Sequence, residues 1–386
     1  MPLPRWLLPI PLLLAASPAV GEPMTFAEAV TLAEQNAPSL LAGRLTVQAA
    51  REDIAPASAL PDPTLFVGLE NVPFTGPSAW SFTDEGMSML SVGLTQEVPS
   101  AGRRRAGGER AEAIADEAGA DLERMRREVA TEAAIAWLDV HFLRQRLALL
   151  DEHGVEIDFL ERTTPSRIAG GLALPVEAVE ADSQALDLAD QRDDLTLELA
   201  LAQAELARWT HQPSVDVTGS APELEVDGPA LLSHLTEHPL LDGLRHRTRQ
   251  SEADLAEARA ARRPDWSWEI AYQRRDPQYG DMISARVSIG LPLFQSGRQA
   301  PSERARRASV ERSIALRLDA ELQLVREFEI ALARFEVASR QLARLNEELL
   351  PLADQRLRLL VGSYRAGAAE LPEVIAARRA WIDVRM

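Results

Sequence analysis

The sequence predicts a mostly α protein with a small β part: long antiparallel coiled-coil helices in two structural repeats, plus four strands. Three observations predict it. Gly102 to Thr164 contains no proline, and Val129, Ala133, Ala136, Val140, Leu143, Leu147 and Leu150 recur at spacings of 4, 3, 4, 3, 4 and 3, the period of a coiled-coil seam. Two other regions alternate apolar and polar residues, as half-buried strands do. Short motifs then return in the same order about 200 residues later.

Composition narrows the function classes. The 386 residues suffice for one large or two ordinary domains. There is no cysteine, which removes disulfides, thiolate metal sites and a cysteine nucleophile. The 41 basic and 59 acidic residues leave a net charge of -18, the wrong sign for a nucleic-acid binder. Aromatics are only 5%, and Ala, Leu, Glu and Arg dominate, as in long helices. Beyond the leader no run of ~18 uninterrupted apolar residues offers a helical membrane anchor.

Residues 1–21 read as a signal peptide. Arg5 precedes the apolar run Trp6 to Ala16, and Ala19-Val20-Gly21 offers small residues for cleavage. The alternative, a buried N-terminal helix, is weakened by Pro9 and Pro11. The first repeat spans 22–212. It opens with a helical pattern from Met24 to Arg51 that Pro38 interrupts, begun by Thr25 with Glu28 three residues on, a capping box. Pro56, Pro61 and Pro63 then break the pattern. Thr64 to Leu69 is a strand with Leu65, Val67 and Leu69 on one face. A long loop holding Trp80 and Phe82 leads to a second strand, Ser88 to Gln96, with Leu90, Val92 and Leu94 on one face. The proline-free helix follows; at 1.5 Å per residue its ~60 residues would span ~90 Å. Pro165 and Gly170-Gly171 end it, and a return helix runs from near Pro175 to Trp209. So short a connection makes the two an antiparallel helical hairpin.

Residues 213–229 read as a linker, and 230–386 repeat the plan. The second hairpin is the clearest strand signal in the chain. Trp266, Trp268, Ile270 and Tyr272 alternate with Ser267, Glu269, Ala271 and Gln273, and Ile283 to Leu291 alternates likewise. Four echoes mark the duplication. Ala37-Pro38 returns as His238-Pro239, and Pro61-Asp62 as Pro264-Asp265. Ser91-Val-Gly-Leu94 with Ser100-Ala-Gly-Arg103 returns as Ser288-Ile-Gly-Leu291 with Ser296-Gly-Arg298. Ala169-Gly170 and Leu174-Pro175 return as Ala366-Gly367 and Leu371-Pro372. The last return helix starts near Leu371 and stops at Met386, so it is expected to be ~20 residues shorter than its counterpart.

A hairpin cannot bury a Trp-rich face by itself. Strands of ~9 to 11 residues suit a tilted membrane crossing. Four strands cannot close a barrel, and open sheet edges are not tolerated in lipid. Three copies would supply a 12-stranded transmembrane β-barrel, within the known size range.

The duplication, the leader, and the glycine turns followed by Leu-Pro resemble the TolC-type outer-membrane efflux proteins over essentially the whole mature chain. Pro61-Asp-Pro-Thr64, Leu69-Glu-Asn71, and Gln96-Glu-Val-Pro99 followed by Ala101-Gly-Arg-Arg104 resemble the heavy-metal, CzcC-like branch. The resemblance implies a homotrimer whose barrel sits in the outer membrane and whose helical tunnel crosses the periplasm. It implies a periplasmic membrane-fusion adaptor and an inner-membrane pump of the resistance-nodulation-division (RND) type as partners. It also implies a passive duct without cofactor or catalysis. Many members carry a lipidated N-terminal cysteine; this sequence has none, so the barrel is expected to be the anchor.

The resemblance also assigns residues. Arg167, Gly170, Gly171 and Leu172, with Arg365, Gly367 and Ala368, form the periplasmic tips that meet the adaptor; the plainer reading is a glycine helix stop. Glu373 and Glu177 are candidates for an acidic tunnel constriction. Glu373 lies six residues past Gly367, whereas Val176 lies six past Gly170, with Glu177 beside it; the plainer reading is an acid favoured in a first helical turn. Trp80, Phe82, Trp266, Trp268 and Tyr272 are membrane-face aromatics. His234 and His238, spaced i, i+4, could in principle share a metal on one helix face, but read better as exposed helical histidines, and no metal site is expected. No nucleophile motif, phosphate loop or dinucleotide fingerprint is found. The expected function is therefore an outer-membrane efflux duct, with heavy-metal cations as cargo. The alternative is a soluble periplasmic coiled-coil scaffold or adaptor, which would need the hairpins to be soluble.

Overall fold

A computed structural model of the protein describes residues 23–77, 79–81, 86–171, 174–212 and 216–386. The leader (1–21) lies outside them. The elements run α1 (Phe26–Asn36), α2 (Pro38–Glu52), α3 (Ile54–Ser58), β1 (Thr64–Glu70), β2 (Met89–Val98), α4 (Ala101–Ala169), α5 (Pro175–Thr210), α6 (Gly228–His234), α7 (Pro239–Ala260), β3 (Trp266–Arg274), β4 (Met282–Ile289), α8 (Gln299–Arg344), α9 (Leu350–Arg365) and α10 (Leu371–Arg385). A 3-10 turn joins α6 to α7, and a π turn, Leu345–Leu349, joins α8 to α9. Helices, hairpin, long helix and return helix thus occur twice. The compact units do not follow that order. One comprises Met1–Pro38, Arg126–Val226 and Ile330–Met386; the other comprises Ser39–Met125 and Asp227–Glu329.

The first unit is helical. Thr25 caps α1: its Oγ1 accepts the Glu28 N–H at 3.3 Å, and its own N–H donates to Glu28 Oε2 at 2.7 Å. The Thr25 N–H, and its hydroxyl at 2.9 Å, donate to that carboxylate and hold it below its ordinary pKa. The helix stops where Ala37 turns extended before Pro38, as the residue before a proline prefers. Of the expected seam, Val129, Ala133, Ala136, Val140 and Leu150 are buried, while Leu143 and Leu147 are half-buried. Trp137, one step from the seam, is fully buried against Met24, Ala29 and Leu206. Its Nε1 donates to the Met24 carbonyl at 3.0 Å, and Phe26 meets its ring edge-on at 5.6 Å.

One expectation about helix ends is corrected. Pro165 lies inside α4, which continues to Ala169. It removes one backbone bond close to the helix end, where few bonds remain to be lost. The stretch read as a linker is pinned in part: Met24 N–H donates to Asp216 O and Thr218 N–H to Met24 O, each at 3.0 Å, and Arg144 pairs with Asp216.

The second unit carries an antiparallel sheet in the order β1-β2-β3-β4. Leu65 faces Leu94, Leu94 faces Ile270, and Ile270 faces Ala285, so the apolar alternations of all four strands fall on one face. Leu291, read as the end of the last strand, lies beyond it. Helices α4, α7 and α8 of this unit are tied by carboxylates that each hold more than one arginine. Asp254 meets Arg110 at 3.2 Å and Arg306 at 3.4 Å. Glu303 meets Arg259 at 3.3 Å and Arg262 at 2.6 Å.

Candidate functional site

The sheet is built inside out by the standard of a water-soluble protein. On its apolar face Leu65, Val67, Ile270, Ile283, Val287 and Ile289 are all exposed. On its polar face the central strands are covered, Ser91 being 0% and Gln273 6% exposed, while Arg286 and Ser288 of the edge strand stay exposed. The polar face satisfies its own donors. Ser91 Oγ donates to Glu70, Gln273 Nε2 donates to Ser284 Oγ at 2.6 Å, and Arg286 pairs with Glu269 at 3.4 Å. Gly93 sits there because a Cβ would lie 2.5 Å from the Phe66 ring and 2.7 Å from the Ile270 carbonyl. Burying polar groups while exposing a broad apolar face is unfavourable in water. It is the arrangement of a transmembrane barrel wall, apolar outside and polar within.

Trp266, Trp268 and Tyr272 share the apolar face; Trp266 and Tyr272 are exposed and Trp268 half-exposed. Trp80 lies in the β1–β2 loop, 65% exposed, with Phe74 edge-on at 5.4 Å. Its backbone has φ +64, unusual for a bulky residue, and its N–H donates to Pro73 O at 2.8 Å. Phe82 lies outside the described residues. Arg275 ties the two loops at that end of the sheet: its guanidinium donates to the carbonyls of Gly280, Tyr279 and Gly86. Nothing in the sequence pattern singled out this clasp.

The two helical turns lie in the first unit. Gly171 has φ +69 and Gly367 φ +72, a conformation open to glycine at no steric cost. The Gly171 N–H donates to Ile168 O and the Gly367 N–H to Tyr364 O, each at 3.0 Å. Gly170 precedes the first turn, and Arg167 stands in the last turn of α4. Leu172 lies outside the described residues. Arg365 ends α9, exposed, and the Ala368 N–H donates to Ser363 O at 2.8 Å.

Sequence spacing from Gly170 set Glu177 one position off its counterpart. The left-handed glycines give a different match. Glu177 is six residues past Gly171, as Glu373 is six past Gly367. Both are the third residue of a return helix, and both carboxylates accept a backbone N–H at its start: Leu174 N–H to Glu177 Oε1 at 2.9 Å, Glu370 N–H to Glu373 Oε2 at 3.3 Å. Each thus performs local capping, the plainer of the two roles read from the sequence. Glu373 also lines a groove between α9 and α10 with Leu352, Arg356 and Leu359.

His234 and His238 do not share a helix. His234 ends α6 and His238 is the N-cap of α7, its Nδ1 accepting the Leu240 N–H at 3.3 Å. Among the described residues no group of three or more His, Cys, Asp or Glu is placed to hold a metal, and no helix is long and apolar enough to cross a membrane.

Comparison with known proteins agrees with the sheet. The model of the outer membrane efflux protein family matches residues 29–207 and 231–386, and the chain belongs to that family. Solved structures share the fold. A membrane protein from Pseudomonas aeruginosa aligns over 93% of this chain and 85% of its own, with TM-score 0.80 and 19% identity. The CmeC outer membrane channel of Campylobacter jejuni aligns over 93% and 80%, with TM-score 0.78 and 14% identity. The outer membrane protein VceC of Vibrio cholerae aligns over 93% and 90%, with TM-score 0.76 and 20% identity. No protein of curated function matches the sequence.

Proposed function

We propose that three copies close their sheets into a 12-stranded outer-membrane barrel whose helices continue as a periplasmic tunnel. The assembly is a passive exit duct for cargo delivered by an RND pump through a periplasmic adaptor. One observation carries this reading: a four-stranded sheet with both edges open and its apolar face outward. Such a sheet needs lipid on that face and another strand on each edge. The soluble scaffold would leave Leu65, Val67, Ile283 and Ile289 in water. In the duct the turns at Gly171 and Gly367 are the adaptor-facing tips, and Glu177 and Glu373 sit just inside them. The cargo proposed is heavy-metal cations, on the resemblance of the short motifs around the first hairpin.

The test is to express the chain with its own leader, fractionate the cells, and measure the detergent-extracted mass by light scattering. Outer-membrane trimers are expected; a soluble periplasmic monomer would refute the barrel. Cargo is read separately, by comparing metal and organic-drug sensitivity of cells with and without the protein. Loss of metal tolerance alone is expected.

A further inference from the structure

We infer that Asp62 of one copy is held by Arg298 of the next, in a contact that this chain already makes once within itself. The inference rests on the trimer proposed above and adds the residues that set the register between copies.

The internal version is complete. Asp265 stands just before β3, in the alternation of Ser267 and Glu269 on the polar face. Its carboxylate reaches sideways past β2 to the start of α4, the long helix that follows that strand. Asp265 Oδ1 accepts the Ser100 N–H at 2.7 Å, and Oδ2 accepts Arg103 Nη1 at 2.5 Å. Glu257 supports the same guanidinium at 3.8 Å. The aspartate before one strand thereby fastens the helix that follows the neighbouring strand.

The duplication supplies the aspartate and the arginine of this contact a second time, but on opposite edges of the sheet. Asp62 stands just before β1 in the motif Pro61-Asp62, in the alternation of Thr64 and Phe66 on the polar face. Arg298 stands just before α8 in Ser296-Gly-Arg298, matching Ser100-Ala-Gly-Arg103. In the order β1-β2-β3-β4, β1 has no neighbour on the side where β3 has β2, and β4 has none on its far side. Four strands cannot curl far enough for one chain to close on itself, so the strand arriving beside β1 is β4 of another copy. Asp62 and Arg298 are exposed, opposite in charge, and without a side-chain hydrogen bond or ion pair among the described residues. Asp265 and Arg103, their counterparts, have both.

The absence of native cysteine makes the test direct. In the full-length chain, D62C with R298C is treated in outer membranes with a short bismaleimide, because an Asp–Arg pair is wider than a disulfide allows. Bands of two and three copies are expected from the double variant, and loss of both from either single variant. D265C with R103C is the reference for reagent reach and should link within one chain. Charge exchange is the second arm: D62R should lose the trimer in mild detergent, and D62R with R298D should recover it. Trimers by light scattering that neither cross-link at 62 and 298 nor respond to charge exchange would overturn the contact and leave the duct intact. Monomers from the unmodified chain would overturn both.

Discussion

At the residue scale, single side chains decide outcomes by what surrounds them. Gly93 has no room for a Cβ between the Phe66 ring and the Ile270 carbonyl. Gly93→Val is expected to destabilise the sheet by about 1–3 kcal/mol, read as a lower unfolding midpoint in detergent. His153 of α4 is held below its ordinary pKa, first by burial and then by the nearby Arg378 charge. A histidine with a lowered folded pKa binds its proton more readily when unfolded, so its contribution is complete above about pH 6.5 and fades as pH falls toward the folded value. His153→Gln should flatten that part of the stability profile; an unchanged slope in urea titrations between those pH values would exclude His153 as its source. Glu177 and Glu373 show where residue counting misleads. The sequence placed both near a turn, but only the left-handed φ of Gly171 and Gly367 fixes the origin from which to count.

At the element scale, the long helices were legible because their seam is periodic and proline-free. Trp137 was not, because it stands at the neighbouring position and is buried by Met24, Phe26 and Leu206 from distant stretches of chain. Trp137→Ala is expected to cost about 3–5 kcal/mol, and Trp137→Phe about 1 kcal/mol through loss of the bond to the Met24 carbonyl; thermal unfolding of the two variants separates packing from hydrogen bonding. Asp254 is a second such site. Its removal frees Arg110 of α4 and Arg306 of α8 together, and Asp254→Ala should cost about 1–2 kcal/mol, more than exposed pairs such as Arg358–Asp354, whose loss should be near zero. Pro165 was taken for a helix end because a proline sends one signal wherever it stands. Its cost depends on how many bonds follow it, which sequence alone does not price.

At the scale of the whole molecule, the hairpins were readable from alternation, and the shared outward face follows from the observed register. What alternation could not supply is which face water sees. In most antiparallel sheets the apolar face is the buried one; here the exposures are inverted. A charge on the outward face should therefore obstruct membrane folding. In the proposed barrel, Val67→Arg is expected to cost up to about 2–4 kcal/mol, while Ser284→Arg on the polar face should fold nearly normally; yields of folded protein in vesicles compare them. The interleaved units were also hidden. A repeat is a property of chain order, whereas compactness is a property of contact, and the long helices carry residues from one unit to the other.

The sheet that suits lipid is a hazard before lipid covers it. Its two open edges can accept a strand from any copy, and its apolar face promotes the same encounter. Clumping of two uncovered chains rises with the square of their concentration, whereas delivery of each chain to a membrane rises only in proportion to it. The rate of synthesis therefore governs the fate of the product. Slow supply favours assembly, and forced overproduction should fill the periplasm with aggregate long before the outer membrane is full.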